Sequence, residues 1–352
     1  IVMYKSIRSV MRVFRNYIIL NIKFVTFIMK EVNMERIWRI AGLNIQQGEK
    51  VQTEIPVYDT KTEMPVTFIY GEHPGKTILI TSGIHPAEST GIQTSIQLAK
   101  ELSPNIIHGK VIIIHLVNTP AFKERTDITP QDRKNLNRVF PPNQNGTLTD
   151  KIAYFFWETF ACNVDFYIDL HGCSAAWLNP HCYYVGVGEE HIIEQSRQAA
   201  KLLNLPYITQ SVATNGAYNY AGTQGIPGIL IERGECGYWE QTEVELLKKD
   251  IRNVLRHLQL LNDEMESVSM TPEEVENILY LHTECAGCWI PCIQTDGLFV
   301  KGDKLGEIQD CFGQTLQTYY AKQDGVGLYM NCHLSVKEHD FLFAYASRSN
   351  QI

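Results

Sequence analysis

Two short segments contain the residues whose types and spacing are best suited to chemistry. Gly83 to Glu88 reads G-I-H-P-A-E, and His171 lies in I-D-L-H-G. His85 and Glu88 are three residues apart, so a helical turn opened by Pro86 would direct both side chains to one side. Two histidines and a glutamate are a recurrent ligand set of catalytic zinc, which leaves one coordination position open. These residues therefore predict one zinc ion per chain.

Hydrolysis at such a centre also needs a base that carries a proton from water to the leaving group. Glu232, in I-L-I-E-R-G, ends a predicted strand and suits that role, and Glu235 is a nearby competitor. Asp169 precedes His171 by two residues and is expected to point the same way. An acidic partner there would fix the tautomer of the ring and strengthen it as a ligand.

The segment from Arg125 to Arg138 could handle anions. Asn137 and Arg138 place a neutral donor beside a planar guanidinium, which suits the capture of a substrate carboxylate. Arg125 and Arg133 are alternatives for stabilising the oxyanion that forms when water attacks a carbonyl. Taken alone, this stretch could equally be a solvated charged surface.

The pattern around these residues predicts the elements that position them. From about residue 76, short apolar runs alternate with longer helical stretches, which is typical of an α/β domain with a mostly parallel sheet flanked by helices. Such sheets bind ligands beyond the carboxyl ends of their strands. Five candidate residues are predicted at these ends: His85, Glu88, Asp169, His171 and Glu232.

After about Met270 the pattern changes to short alternating apolar runs separated by glycine, which predicts a small all-β domain. Residues 267–274 are the expected linker. The chain is therefore divided into an extension at 1–33, an α/β domain with the predicted zinc hydrolase site at 34–266 and a β domain at 271–352.

The first 33 residues have a different composition, with six basic residues and one acidic residue. Their apolar stretch, Tyr17 to Ile28, is interrupted by Asn21 and Lys23 and is shorter than the roughly 20 residues of a spanning helix. We expect a dispensable extension, and a peripheral membrane anchor is the alternative. No signal peptide is indicated.

The overall composition argues against several classes of partner and site. A net charge of -8 provides no basic surface for phosphates, so nucleic acid is not an expected partner. Nine cysteines in a chain of this length predict free thiols and a cytoplasmic location rather than a disulfide framework. Cys285, Cys288 and Cys292 are spaced like part of a metal knuckle but lack a fourth ligand.

As a set, the motifs H-P-A-E, N-L-N-R-V-F-P, D-L-H-G and I-E-R-G resemble the succinylglutamate desuccinylase/aspartoacylase family, relatives of the zinc carboxypeptidases. The resemblance spans about residues 50–350 and implies a zinc carboxypeptidase-like fold. It also implies roles for individual residues. Zinc would be bound by His85, Glu88 and His171, with Glu232 as the general base.

The same resemblance implies that Asn137 and Arg138 bind the substrate carboxylate and that Arg125 polarises the scissile carbonyl. Tyr218, in N-G-A-Y-N-Y, is expected to contact substrate. The trailing β domain is similar to biotinyl and lipoyl carrier domains, yet residues 310–313 replace the acceptor lysine. It is therefore expected to be a lid or an oligomer wall, and a homo-oligomer stays open.

Together these features predict a zinc-dependent hydrolase of an N-acyl amino acid or a similar small acyl amide. The anion-handling segment predicts that this substrate carries a carboxylate. A zinc carboxypeptidase or peptide amidase is the alternative within the same chemistry. An alternative of another class is a non-catalytic binding protein that retains the metal.

Overall fold

A computed structural model describes residues 36–348. The extension predicted at 1–33 lies outside the described residues. Within them, six α-helices are present: α1 Ser89–Glu101, α2 Thr119–Glu124, α3 Leu148–Thr159, α4 Glu190–Ala200, α5 Ala217–Thr223 and α6 Gln241–His257. None of these helices is long and apolar enough to cross a membrane.

Eleven strands of the described residues lie before residue 260: β1 Ile37–Ile40, β2 Leu43–Gln46, β3 Lys50–Pro56, β4 Glu63–Tyr70, β5 His73–Ser82, β6 His108–Ile114, β7 Phe166–His171, β8 Ala176–Leu178, β9 His181–Val185, β10 Tyr207–Ser211 and β11 Gly228–Glu232. The later strands are β12 Glu273–His282, β13 Gly287–Pro291, β14 Leu298–Phe299, β15 Lys304–Gln309, β16 Thr315–Tyr320, β17 Gly325–Asn331, β18 Ser335–Val336 and β19 Phe341–Arg348.

One 13-stranded sheet runs through the described chain in the order β14-β17-β19-β12-β10-β9-β11-β7-β5-β6-β4-β3, with β8 paired to β17. Its centre contains the parallel pairs β6-β5, β5-β7, β7-β11, β9-β10 and β10-β12. Both flanks and the β9-β11 pair are antiparallel. The sheet is thus mixed, and the mostly parallel prediction holds only for its central strands.

Helices cover both faces of the central strands. Helices α1 and α6 pack on one face through Leu98 and Leu247, and α3 packs on the other through Phe156. Strand β7 is consequently buried along its whole length. Its apolar sequence is typical of a strand covered on both faces, and its polar residues Asp169 and His171 are therefore held in a rigid interior.

The described chain from Glu273 to Arg348 consists of strands and connecting turns. Strand β12 nevertheless pairs in parallel with β10, through Tyr207 with Glu273 and Ile208 with Glu274. The large sheet is therefore continuous across the predicted linker. A second sheet, with the order β16-β15-β13-β18, belongs entirely to this later region.

Candidate functional site

His85, Glu88 and His171 meet at the carboxyl ends of β5 and β7. The Nδ1 atom of His85 lies 3.0 Å from one Glu88 oxygen, and Nδ1 of His171 lies 2.8 Å from the other. One donor atom from each residue falls within 4.8 Å of the others, and within residues 36–348 no other group of three such residues does so. These three side chains could hold one divalent cation.

The turn predicted for these residues precedes helix α1. Helix α1 begins at Ser89, and Glu88 is its N-cap with non-helical dihedral angles. His85 and Glu88 are brought together by a tight turn, in which the backbone N–H of Glu88 donates to the carbonyl of His85 over 3.1 Å. Pro86 is the second residue of that turn.

The outward nitrogen of each histidine also faces an acceptor. Nε2 of His85 lies 2.9 Å from Oδ1 of Asn135, and Nε2 of His171 lies 3.3 Å from Oδ2 of Asp169. Asp169 is fully buried and accepts a 2.6 Å hydrogen bond from the Thr81 hydroxyl. Each ring can thus carry its proton on Nε2 and present the Nδ1 lone pair to a cation.

Sequence reasoning identified Asp169 but missed Asn135. The signal was available in K-N-L-N-R, where Asn135 caps a short 3-10 turn that begins at Leu136. Its Oδ1 atom accepts a 2.8 Å hydrogen bond from the backbone nitrogen of Asn137 as well as facing His85. An asparagine at such a position is common as a cap alone, so only its approach to His85 identifies its second contact.

Electrostatic effects in the cluster favour an anionic Glu88. Burial would raise the pKa of this carboxyl, but the facing rings of His85 and His171 lower the pKa to about 2. Burial would lower the pKa of His171, yet Asp169 and Glu88 raise it well above its usual value. The backbone N–H of Gly172 also donates to Glu88 over 3.2 Å. The site thus concentrates negative charge that suits a cation.

Glu232 ends β11 beside this cluster, opposite His171 in the parallel pairing. Its side chain is only 8% exposed, and its Oε2 atom is buried with no hydrogen-bond partner among the described residues. Burial and the nearby charge of Glu88 raise its pKa to about 8. Glu235 is exposed and accepts a 2.9 Å hydrogen bond from the backbone nitrogen of Leu178. Glu232 is therefore the better placed of the two carboxylates.

The residues expected to handle anions occupy different environments. Asn137 is buried, and its side-chain oxygen accepts a 2.8 Å hydrogen bond from Ala217 at the start of α5. Arg138 is exposed, and its guanidinium donates to the backbone carbonyl of Asn137. Arg125 and Arg133 are also exposed, both with φ of 56°. Among the described residues, no contact joins either arginine to the histidine cluster.

Tyr218 lies on α5 and is buried in the apolar core, with 3% of its surface exposed. Burial raises the pKa of its hydroxyl, which contacts Ser211 and Asn219. The contact with substrate that the sequence suggested therefore stays a prediction, and the structure gives this residue a packing environment.

Asp127 is a second residue that sequence reasoning missed. Its Oδ1 atom accepts a 3.2 Å hydrogen bond from the backbone nitrogen of Ala87, and its Oδ2 atom accepts one from the Ser174 hydroxyl. It thereby ties the turn between His85 and Glu88 to the loop that follows β7. The sequence E-R-T-D contains no signal that distinguishes this aspartate from a solvated one.

This chain is similar in sequence to known proteins. Residues 74–258 match the model of the succinylglutamate desuccinylase/aspartoacylase catalytic domain. An N-alpha-acetyl-L-2,4-diaminobutyric acid deacetylase from Halomonas elongata is 28% identical over 284 residues, which cover 75% of this chain and 79% of that protein.

Solved structures are similar over most of their length. A succinylglutamate desuccinylase from Silicibacter sp. TM1040 has a TM-score of 0.78 at 25% identity, with 86% of this chain and 96% of that chain covered. The product-bound ectoine utilization protein EutE (DoeB) from Ruegeria pomeroyi has the same fold, with a TM-score of 0.79 at 24% identity and coverage of 89% and 99%. The resemblance seen in the motifs is confirmed, and the chain belongs to the succinylglutamate desuccinylase/aspartoacylase family of deacylases.

Proposed function

We propose that this protein is a zinc-dependent hydrolase that cleaves the amide bond of an N-acyl amino acid or a similar small acyl amide. The observation that carries the proposal is the convergence of His85, Glu88 and His171 beside the buried carboxyl of Glu232, whose Oε2 atom has no hydrogen-bond partner among residues 36–348. The relative named as an N-alpha-acetyl-L-2,4-diaminobutyric acid deacetylase supports an acylated amino acid as the substrate class.

The donor set fits a zinc ion. His85 and His171 direct Nδ1 toward Glu88, while their Nε2 atoms face Asn135 and Asp169. Imidazole nitrogens and a carboxylate oxygen are ligands that zinc accepts, and three protein ligands are typical of catalytic sites. When bound, zinc would act as a Lewis acid on the scissile carbonyl and would lower the pKa of a water molecule.

The chain's own residues would complete the reaction. Glu232 takes a proton from the attacking water and delivers it to the nitrogen of the leaving amine as the C–N bond breaks. Burial raises the pKa of this carboxyl, which suits a group that must both accept and release a proton. Asn137 and Arg138 bind the substrate carboxylate, and Arg125 supports the oxyanion, with Arg133 as the alternative.

We also propose a division of the chain into two domains, a zinc carboxypeptidase-like α/β domain at residues 34–266 and a small β domain at residues 271–352. Two contacts support placing the β domain next to the site. Strand β8 pairs with β17, and Tyr329 of β17 lies close enough to Glu232 to lower the pKa of its carboxyl. The later strands would thus form one wall of the substrate pocket.

The experiment that tests this function is an assay of zinc-loaded protein with a panel of N-acyl amino acids and, separately, short peptides. Release of the free amino acid from the acylated substrates is expected. Cleavage of peptides instead would favour a carboxypeptidase or peptide amidase, and turnover of neither class would favour a binding protein. Glu232→Gln should retain zinc and lose at least about a hundredfold in turnover.

A further inference from the structure

Asn137 is held from two directions. Its backbone nitrogen donates to Oδ1 of Asn135, the atom that also faces Nε2 of His85. Its own side-chain oxygen accepts a 2.8 Å hydrogen bond from the backbone nitrogen of Ala217, at the start of α5. Asn137 therefore lies between a proposed metal ligand and α5, and its position depends on both contacts.

The hydrogen bond from Ala217 decides which end of the Asn137 amide is free. A backbone N–H can only donate, so its partner must be the oxygen of the amide and not the nitrogen. Asn137 is buried, yet Nδ2 donates to no acceptor among residues 36–348 and is not one of the fully enclosed atoms that lack a partner there. The Nδ2 end therefore keeps an opening toward solvent, where it offers two N–H donors and no acceptor.

The start of α5 is itself fixed in place. The backbone carbonyl of Asn215 accepts from the backbone nitrogen of Phe140 over 3.3 Å, which ties this segment to the one that contains Asn137. In the first turn of α5, Nδ2 of Asn219 donates to the Ser211 hydroxyl of β10 over 3.1 Å. The donor that holds the Asn137 amide thus belongs to a segment that is attached to two other parts of the fold.

Gly216 provides the space for this arrangement. It is buried, and its φ of -91° and ψ of 164° are open to any residue. A Cβ atom at this position would lie 2.7 Å from Oδ1 of Asn219 and 2.9 Å from Oδ1 of Asn137. Both distances are too short for a carbon and an oxygen in contact, and both oxygens are at the ends of side chains. An alanine here would therefore displace the two amides without straining its own backbone.

We propose that Gly216 and Ala217 are positioning residues for Asn137: they hold its amide oxygen against α5 so that the Nδ2 group faces the carboxylate of the substrate. This inference rests on the proposed function, because it takes Asn137 to be a carboxylate-binding residue. An amide end that only donates pairs with a carboxylate, whose oxygens only accept. The arrangement therefore selects acylated amines that carry a carboxylate over acylated amines that lack one.

The test compares two substrates that differ only in this carboxylate: an N-acyl amino acid that the wild type cleaves, and the N-acyl derivative of the amine formed by its decarboxylation. The ratio of their kcat/KM values measures the preference for the carboxylate, and it should be high for the wild type. Gly216→Ala should lower this ratio about tenfold, mainly through the KM of the amino acid substrate, because the displaced amide no longer meets the carboxylate. A ratio equal to that of the wild type would overturn the proposal.

Substitution of Asn137 shows whether Gly216 acts through it. Asn137→Ala should lower the ratio at least about tenfold, which is the scale of a hydrogen bond to a charged group. Because both changes remove the same contact, adding Gly216→Ala to Asn137→Ala should lower the ratio by less than about twofold more. Full additivity of the two losses would show that Gly216 acts elsewhere and would overturn the proposal.

A matched control separates this effect from general strain. Gly225 follows α5, and a Cβ atom there would meet nothing within 4 Å, so Gly225→Ala strains the backbone without crowding Asn137. Its ratio should equal the wild-type ratio. If wild-type protein releases no amino acid from any acyl substrate, the proposed function itself fails. If wild type is active and Gly216→Ala keeps the wild-type ratio, only the role of Gly216 fails.

Hydrogen exchange tests the contact without substrate. The backbone amide of Ala217 should exchange faster in Asn137→Ala, because its acceptor is removed, and should stay protected in Asn137→Asp, which keeps an oxygen at that position. Asn137→Asp should nonetheless lose the preference for the carboxylate, since a second oxygen replaces the donor end. Equal exchange of Ala217 in wild type and Asn137→Ala would overturn the hydrogen bond and the proposal with it.

Discussion

The Asn135 side-chain oxygen lies 2.9 Å from Nε2 of His85. The same oxygen accepts a 2.8 Å hydrogen bond from the backbone nitrogen of Asn137. One atom thus connects a proposed metal ligand with the segment proposed to bind the substrate carboxylate. Since an acceptor at Nε2 orients the ring and fixes its tautomer, Asn135 should influence metal binding without contacting the metal.

Asn135→Leu should therefore weaken zinc binding by about 10- to 100-fold, the usual cost of losing an outer partner. Asn135→Asp keeps an oxygen acceptor and should bind zinc at least as tightly as Asn135→Leu. Competition with a chromophoric chelator measures both affinities. Identical affinities in wild type and Asn135→Leu would show that the 2.9 Å contact does not orient His85.

Gly234 should tolerate no side chain in the loop after Glu232. Its φ is +92°, and an added Cβ would lie 2.0 Å from Oγ1 and 2.6 Å from Cβ of Thr90. Gly225 has a similar φ of +84° but open space around it, so Gly225→Ala measures the backbone strain alone.

We expect Gly234→Ala to lower the free energy of unfolding by at least about 1 kcal/mol more than Gly225→Ala, because the side chain must displace its neighbours. Its kcat should also fall, since the loop that follows the proposed base must move. Urea unfolding of the two variants gives the comparison, and equal losses would contradict the crowding at Thr90.

His115 should make stability depend on pH. Burial lowers its pKa from 6.5 to about 4, so the folded state favours the neutral ring. Its contribution is fully present above pH 6.5 and is lost as the pH falls toward 4, because the unfolded chain takes up the proton first. The shift corresponds to about 3 kcal/mol.

Replacing His115 by Gln removes this titration. The difference in unfolding free energy between wild type and His115→Gln should therefore decrease as the pH is lowered from above 6.5 to near 4, and urea titrations at both ends measure it. A difference that does not change with pH would contradict the depressed pKa of this ring.

Asp127 should matter because it joins two loops of the site. It accepts from the backbone nitrogen of Ala87 and from the Ser174 hydroxyl. Asp127→Ala should release both loops, so the amide of Ala87 should exchange its hydrogen faster and kcat should fall. Ser174→Ala removes only one of the two contacts and should have the smaller effect. Hydrogen-exchange mass spectrometry separates these cases, and unchanged exchange in Asp127→Ala would contradict the link.

Local sequence patterns were sufficient to predict the strands and helices whose limits are set by neighbouring residues. The apolar run before Glu232 predicted strand 228–232, which agrees with β11, and the end of β7 brought Asp169 and His171 to the predicted edge. Helix α1 begins at the predicted Ser89. In each case a continuous buried run and a clear change of pattern mark the element.

Features that depend on contacts between residues far apart in the sequence could not be predicted. The parallel pairing of β12 with β10, between Tyr207 and Glu273, makes the sheet continuous with the later strands. The sheet is mixed because its flanking pairs and the β9-β11 pair are antiparallel. Asn135 is an ordinary polar residue in the sequence, and only the folded arrangement brings it beside His85. No short-range periodicity contains this information.

The proposed function requires that His85, Glu88 and His171 hold one zinc ion. Anomalous diffraction at the zinc edge, from crystals of purified protein, would locate this ion. We expect one peak per chain, bonded to Nδ1 of both histidines and to a Glu88 oxygen. A peak at Cys285, Cys288 and Cys292 instead, or crystals of zinc-supplied protein with no peak between the three residues, would contradict it.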